Sequence, residues 1–134
     1  MFINFTNHPS SQWGSSQRSE AERYGTIRDI QFPNISPIIS EKELNDLVNE
    51  YIKSIEQLKP EAVLCQGEMT FTYRFVKRLS QKGILALAAC SERITQEKLL
   101  PNGSTQKVSN FVFVRFRAYE SDIETIQERN ECHE

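Results

Sequence analysis

Apolar positions along the chain follow two periods, and the switches between them mark out the elements. Phe2 to Thr6 is an apolar run of β-formers that stops at Asn7-His8-Pro9-Ser10-Ser11, a string of turn residues, and this predicts a first strand and its exit loop. Gln17 to Tyr24 are mostly good helix formers, with Ser15 or Ser16 as N-cap and Gly25 to end a short helix. Thr26 to Phe32 predicts a second strand, stopped by Pro33-Asn34-Ile35-Ser36-Pro37. Ser40 and Glu43 then form a capping-box pair, and Leu44, Leu47, Val48, Tyr51, Ile52, Ile55 and Leu58 recur at helical spacing up to Pro60.

Ala62 to Cys65 is a short apolar run of the kind buried in a parallel sheet, and Gln66-Gly67-Glu68 turns into a third helix. Phe71, Phe75, Val76 and Leu79 share one face of that helix, and Gly83 ends it. Ile84 to Ala89 predicts a fourth strand. The alternation β-α-β-α-β-α-β predicts an α/β fold: a Rossmann-like parallel sheet of order 2-1-3-4 with right-handed crossover helices. Two further β-rich runs around Pro101-Asn102-Gly103 predict a C-terminal hairpin over residues 92–119. Residues 1–119 thus read as one domain, and 120–134 as an acidic tail, either a frayed helix or disordered.

Composition narrows the picture without redirecting it. Hydrophobic residues are 38% and charged residues 25% of the 134, which argues against wholesale disorder and fibrous repeats. The net charge of −2 is uneven: residues 120–134 hold six acidic groups against Arg129, so residues 1–119 carry +3. A mildly basic body suits a small anion; it is too weakly charged for duplex DNA. Cys65 and Cys90 sit in apolar runs and are expected to be buried, Cys132 lies in the tail, and no CxxC or Cys/His ligand spacing occurs. No disulfide framework, zinc site or other metal is implied. The absence of a leader-like or membrane-spanning segment gives the expectation of a cytoplasmic protein without a membrane partner.

In an open parallel sheet, ligands bind beyond the carboxyl ends of the strands where strand order reverses. For order 2-1-3-4 that point lies between strands one and three. Their exit loops are the most polar junctions of the chain, Asn7-His8-Pro9-Ser10-Ser11 and Gln66-Gly67-Glu68-Met69-Thr70, with Ser91-Glu92-Arg93 expected beside them at the end of strand four. The Gly67 turn offers a helix N-terminus for a phosphate, or is a tight turn and nothing more. Neither GxGxxG nor GxxxxGK[ST] occurs, so no dinucleotide cofactor is expected. His8 is either a general acid or base or a partner of the loop backbone. Trp13 either stacks on a nucleobase or covers the end of the sheet. Glu68 either orients a ribose hydroxyl, acts as a base, or is a favourable charge in the first turn of a helix. Arg93 is weighted above Arg115 and Arg117 as a phosphate partner, because of its place after strand four.

The run Asn4-Phe5-Thr6-Asn7-His8-Pro9-Ser10, with Gln66-Gly67-Glu68-Met69-Thr70 and Ser91-Glu92-Arg93, resembles the small stand-alone CRISPR-associated proteins of type III systems. Those proteins have CARF-type Rossmann-like domains, and some are ring nucleases that degrade cyclic oligoadenylates. The resemblance rests on the opening strand and its asparagine-histidine-proline-serine loop and spans residues 1–91. It implies a homodimer that binds cyclic oligoadenylate across a two-fold axis, with cofactor-free and metal-independent cleavage where cleavage occurs. It further implies that Asn7, Ser10 and Ser11 hold phosphate or ribose, that His8 is the acid or base, and that Arg93 stabilises charge. The catalytic set is then His8, Ser11 and Arg93, and the binding set Asn7, Ser10, Trp13, Gln66, Gly67, Glu68, Thr70 and Ser91. A nucleoside-processing enzyme of the deoxyribosyltransferase kind, with Glu68 as nucleophile, and a non-catalytic interaction module are the rival expectations.

Overall fold

The computed structural model describes residues 1–120. Five strands form one sheet in the order β2-β1-β3-β4-β5. They are β1 (Phe2–Thr6), β2 (Ile27–Asp29), β3 (Ala62–Gln66), β4 (Ala86–Leu99) and β5 (Thr105–Ala118), interleaved with helices α1 (Ser15–Glu22), α2 (Glu41–Gln57) and α3 (Met69–Gln81). β1 pairs in parallel with β2 and β3, β3 pairs in parallel with β4, and β5 returns antiparallel to β4. The expected order is present, with the hairpin strand added at its edge. The tail expected from residue 120 lies, from 121 onward, outside the described residues.

Alternation along the buried strands sends side chains to two layers. Ile3, Phe5, Val63, Cys65 and Ala86 join Leu44, Val48, Ile55, Phe71 and Phe75 on the α2/α3 side. Phe2, Ala62, Leu64 and Leu87 join Ala21 on the α1 side. Long amphipathic helices cover the first face fully. Ser40 caps α2 by accepting the Glu43 N–H at 3.1 Å, as the capping box predicts. Gly83, at φ +74°, takes the left-handed position that ends α3.

The second face is covered differently. α1 has only eight residues, one of them buried, and its N-cap is Gly14 rather than a serine. It reaches the amino half of the sheet and leaves the carboxyl half of that face open.

The largest departure from the expected elements lies at β4. Strand four does not end at Ala89: it runs on to Leu99, so that Ser91-Glu92-Arg93 is strand and not an exit loop. β4 and β5 pair from Leu87–Ala118 out to Leu99–Thr105, broken by a bulge at Cys90/Ser91. Beyond the bulge the two strands leave the sheet as a two-stranded arm, closed by a turn in which the Gly103 N–H donates to the Leu100 carbonyl. The reason this was hidden is physical. Among the described residues the arm packs against no third layer, so its residues need not be apolar, and Ser91-Glu92-Arg93 reads as the end of a buried strand. Cys90, expected to be buried, is half-buried at that bulge.

Side-chain hydrogen bonds tie the root of the hairpin to the body. The Gln66 side chain extends the ladder between β3 and β4, accepting the Ala89 N–H at 3.1 Å and donating to the Ala89 carbonyl. The Tyr119 hydroxyl donates to the Cys65 carbonyl at 2.6 Å. Burial pushes that phenol up to about 12, and the Cys65 thiol likewise to about 12, so neither ionises near neutral pH.

Candidate functional site

Polar residues inside β1 build the floor of the site. Asn4 and Thr6 are buried in a strand whose other members are apolar, and they lie on the α1 side near the carboxyl end. The Asn4 amide donates to the His8 carbonyl at 2.8 Å and to Asp29 Oδ1 at 2.9 Å. Its oxygen accepts from the Thr6 hydroxyl at 2.8 Å, and Thr6 Oγ1 in turn accepts the His8 N–H at 3.1 Å. Asp29, at the end of β2, accepts from the backbone and hydroxyl of Ser10. A buried polar group without partners is costly, so this closed network fixes the conformation of the Asn7-His8-Pro9-Ser10 loop.

Above that floor lies a cleft of about 720 Å³, bounded by the β1 exit loop, the start of α1, Gln66-Gly67 and the base of the arm. Of the residues expected at the site, it brings together Asn7, His8, Trp13, Gln66, Gly67 and Ser91. His8 lines the cleft; its backbone groups are engaged with Asn4 and Thr6, and among the described residues its imidazole makes no hydrogen bond. Trp13 packs edge-on against Phe2, with centroids 6.1 Å apart, and covers the sheet there while also lining the cleft.

Five expected residues stand outside the cleft. Ser10 turns to Asp29, and Ser11 sits exposed in the single-turn helix Ser10–Gln12, away from the lining. Arg93 lies on the arm, where its guanidinium donates to the Ser109 hydroxyl at 3.2 Å. Glu68 is the N-cap of α3: its carboxylate accepts from the Thr70 and Phe71 N–H groups, each at 2.9 Å, and from the Thr70 hydroxyl. The Thr70 hydroxyl, ahead of those two backbone groups, holds the Glu68 carboxyl below the usual carboxylate range. The α3 terminus expected to take a phosphate is thus filled by the chain's own anion. Gly67 has a packing reason as well, since a Cβ there would overlap the Phe32 ring.

The open helix terminus is the other one. Gly14 supplies no side-chain cap, and Gly14, Ser16 and Gln17 line the cleft, so the positive end of α1 faces the space. Sequence reasoning missed this because Ser15 and Ser16 look like caps. It also missed Asn4, Thr6 and Asp29, although two polar residues inside a fully buried strand are themselves a signal. Phe111 and Phe113 line the outer wall.

A second cavity of about 500 Å³ lies beside α3, against Met69, Tyr73, Val76 and Tyr119. Its wall is mainly apolar but also includes Gln66, Thr72, Lys77 and Glu120, and a further space of about 640 Å³ lies against Asn7, Gln31, Asn34 and Glu68. Of these spaces the first cleft gathers the most expected residues.

A single α/β domain with a Rossmann-like sheet and a polar cleft at its strand-order reversal is the class these features define. The chain belongs to the family described as the uncharacterized protein MJ1673 family, whose model matches residues 1–117. No curated protein and no solved structure matches the chain.

Proposed function

We propose that this protein binds cyclic oligoadenylate as a cytoplasmic CRISPR-associated sensor, and that it opens the ring without a metal. The observation that carries this reading is the cleft at the β1/β3 carboxyl edge, which combines a helix terminus without a side-chain cap with His8, whose imidazole makes no hydrogen bond among the described residues. N–H groups in the first turn of α1 suit a phosphate, and the amides of Asn7 and Gln17 suit ribose or base edges. No helix among the described residues is long and apolar enough to cross a membrane, which fits a cytoplasmic role.

Ring opening needs little from the protein. A ribose 2′-hydroxyl attacks the adjacent phosphorus, its proton passes to a base, the P–O5′ bond breaks, and the 5′-oxygen takes up a proton. The products are a 2′,3′-cyclic phosphate and a free 5′-hydroxyl. His8 lines the cleft and moves the proton, while the α1 terminus and Ser16 hold the phosphate in line. Ser11 and Arg93 are outside the cleft in this structure, which leaves His8 as the principal group of the expected catalytic set. The engagement of Glu68 as a helix cap favours this reading over the transferase alternative.

The protein acts as a homodimer in this reading. Ile94 and Val112 share one face of the arm and are both exposed, and a second copy set against that face would cover them. Light scattering at micromolar concentration tests this, a monomer being the contrary result.

The assay for the function is incubation with cyclic tri-, tetra- and hexa-adenylate in EDTA, followed by chromatography and calorimetry. Binding of one ring is expected, and failure to bind any of them overturns the proposal. Binding without cleavage retires its enzymatic half. His8→Ala should keep binding and slow cleavage by about 10²–10⁴-fold, the range for loss of a general acid or base.

A further inference from the structure

The arm carries its own chemistry on the side that faces the cleft. Cross-strand pairing puts Ser91 opposite Phe113, Arg93 opposite Phe111, and Thr95 opposite Ser109, so these six side chains share one face. That face is continuous with the open side of the sheet. The bulge at Cys90/Ser91 adds one residue to β5 and so brings Phe113 and Phe116, three positions apart, to the same side, with ring centroids 4.9 Å apart. Phe116 packs on Phe2 at 5.2 Å and Trp13 lies 6.4 Å from it, so an aromatic surface runs from the core of the body out to Phe111.

Phe111 ends this surface in an unusual state: it lines the cleft and is 74% exposed. The guanidinium of its cross-strand neighbour Arg93 is anchored by Ser109. On this face no carboxylate stands between the bulge and Glu97, and β5 as a whole carries Lys107, Arg115 and Arg117 with no acidic residue. A flat apolar ring beside a fixed cation is the chemistry of a base and its phosphate.

We infer that Phe111 and Arg93 form an outer nucleotide subsite, in which a base stacks on the Phe111 ring and its phosphate meets the Arg93 guanidinium. This rests on the adenylate-binding reading of the cleft and extends it: one nucleotide sits at His8, and the next is held on the arm. The ligand is therefore an oligonucleotide and not a mononucleotide. Arg93 acts here as a binding residue of the arm, apart from the proton transfer at His8.

The test uses the full-length protein and its sole tryptophan, Trp13, whose fluorescence reports on the cleft. Cyclic tetra-adenylate, cyclic hexa-adenylate and AMP are titrated into wild type, Phe111→Ala, Phe111→Leu and Phe111→Tyr, with calorimetry in parallel. Phe111 is exposed, so all three variants should fold, which circular dichroism and thermal midpoints check. Phe111→Ala and Phe111→Leu should each weaken ring binding by roughly 5- to 150-fold, the fold-change for one lost base–aromatic stack. Phe111→Tyr should retain it, because the ring is kept. AMP should bind more weakly than either ring and be insensitive to all three changes. Wild-type affinity in Phe111→Ala or Phe111→Leu overturns the subsite while leaving the cleft reading intact. A variant that shifts the oligomeric state and not ring affinity assigns Phe111 to a second copy, and also overturns it. Absence of ring binding in wild type overturns both.

Discussion

The body of this protein and its arm are built on opposite rules. In the body, β1 is buried along its whole length between two layers, and the Phe5 ring meets Phe32, Tyr51, Phe71 and Phe75. Between Ser91 and Val114 the chain buries no residue, and Phe111, Val112 and Val114 are exposed. One region specifies itself through its own core; the other is shaped by a β ladder alone and keeps its apolar side chains for something else. An isolated two-stranded ribbon is marginal in water, so the arm depends on its roots in the sheet, on the Gln66 and Tyr119 contacts, and on what it binds.

The contrast breaks most sharply at two phenylalanines. Phe5→Ala should cost about 3–5 kcal/mol in chemical denaturation, since the surrounding rings cannot fully close the cavity. Phe111→Ala should change stability by about 0.5 kcal/mol or less, as for other exposed positions. Equal losses in the two variants would mean that the arm is part of the core.

A smaller effect is expected where body meets cleft. Glu68→Ala should cost about 0.5–2 kcal/mol at neutral pH, the usual value of a helix N-cap. Because the folded carboxyl lies below its unfolded value of roughly 4.3, the stabilisation is fully present above that pH. It is lost as pH falls through the lower folded pKa. Denaturation curves of wild type and Glu68→Ala should therefore converge in acid. A gap that stays constant to low pH would assign the cost to packing and not to the charged cap. Adenylate affinity in Glu68→Ala should be unchanged, because this carboxylate faces the α3 terminus and not the cleft.

These differences also decide how much the sequence discloses. Strand order follows from the apolar runs at Phe2–Thr6 and Ala62–Cys65 and the helical period over 44–58, because burial on two sides leaves few choices of residue. The ends of elements are harder. β2 is only Ile27–Asp29, although the Ile30 and Phe32 N–H groups still donate to the Asn4 and Thr6 carbonyls and Phe32 packs on Phe5. The reversal point and the His8 loop were legible from topology and polarity. The assignments of Glu68, Ser10 and Ser11 were not, because a carboxylate or hydroxyl beside a turn serves the backbone as readily as a ligand. Arg93 was misplaced by the same merging of strand and hairpin that concealed the arm.

The smallest expected effect is also the cleanest separation of the two regions. Replacing residues 93–111 by Asn-Gly would join Glu92 to Val112, which already face each other across the ladder, through the two-residue turn that best matches strand twist. None of the removed residues belongs to the buried core, so at protein concentrations low enough for monomer the thermal midpoint should move by a few degrees at most, with about 0.5 kcal/mol or less lost. The slope of the denaturant transition should also change little, because it scales with the surface exposed on unfolding and the arm buries little. Trp13 should keep its emission, its neighbours Phe2 and Phe116 being retained. Dilution separates what the arm contributes within one chain from what it contributes between copies. A loss of about 2 kcal/mol or more that is independent of protein concentration would make the arm a structural part of the body. Wild-type stability that falls toward that of the shortened protein as the solution is diluted would instead trace the difference to a second copy held by the arm.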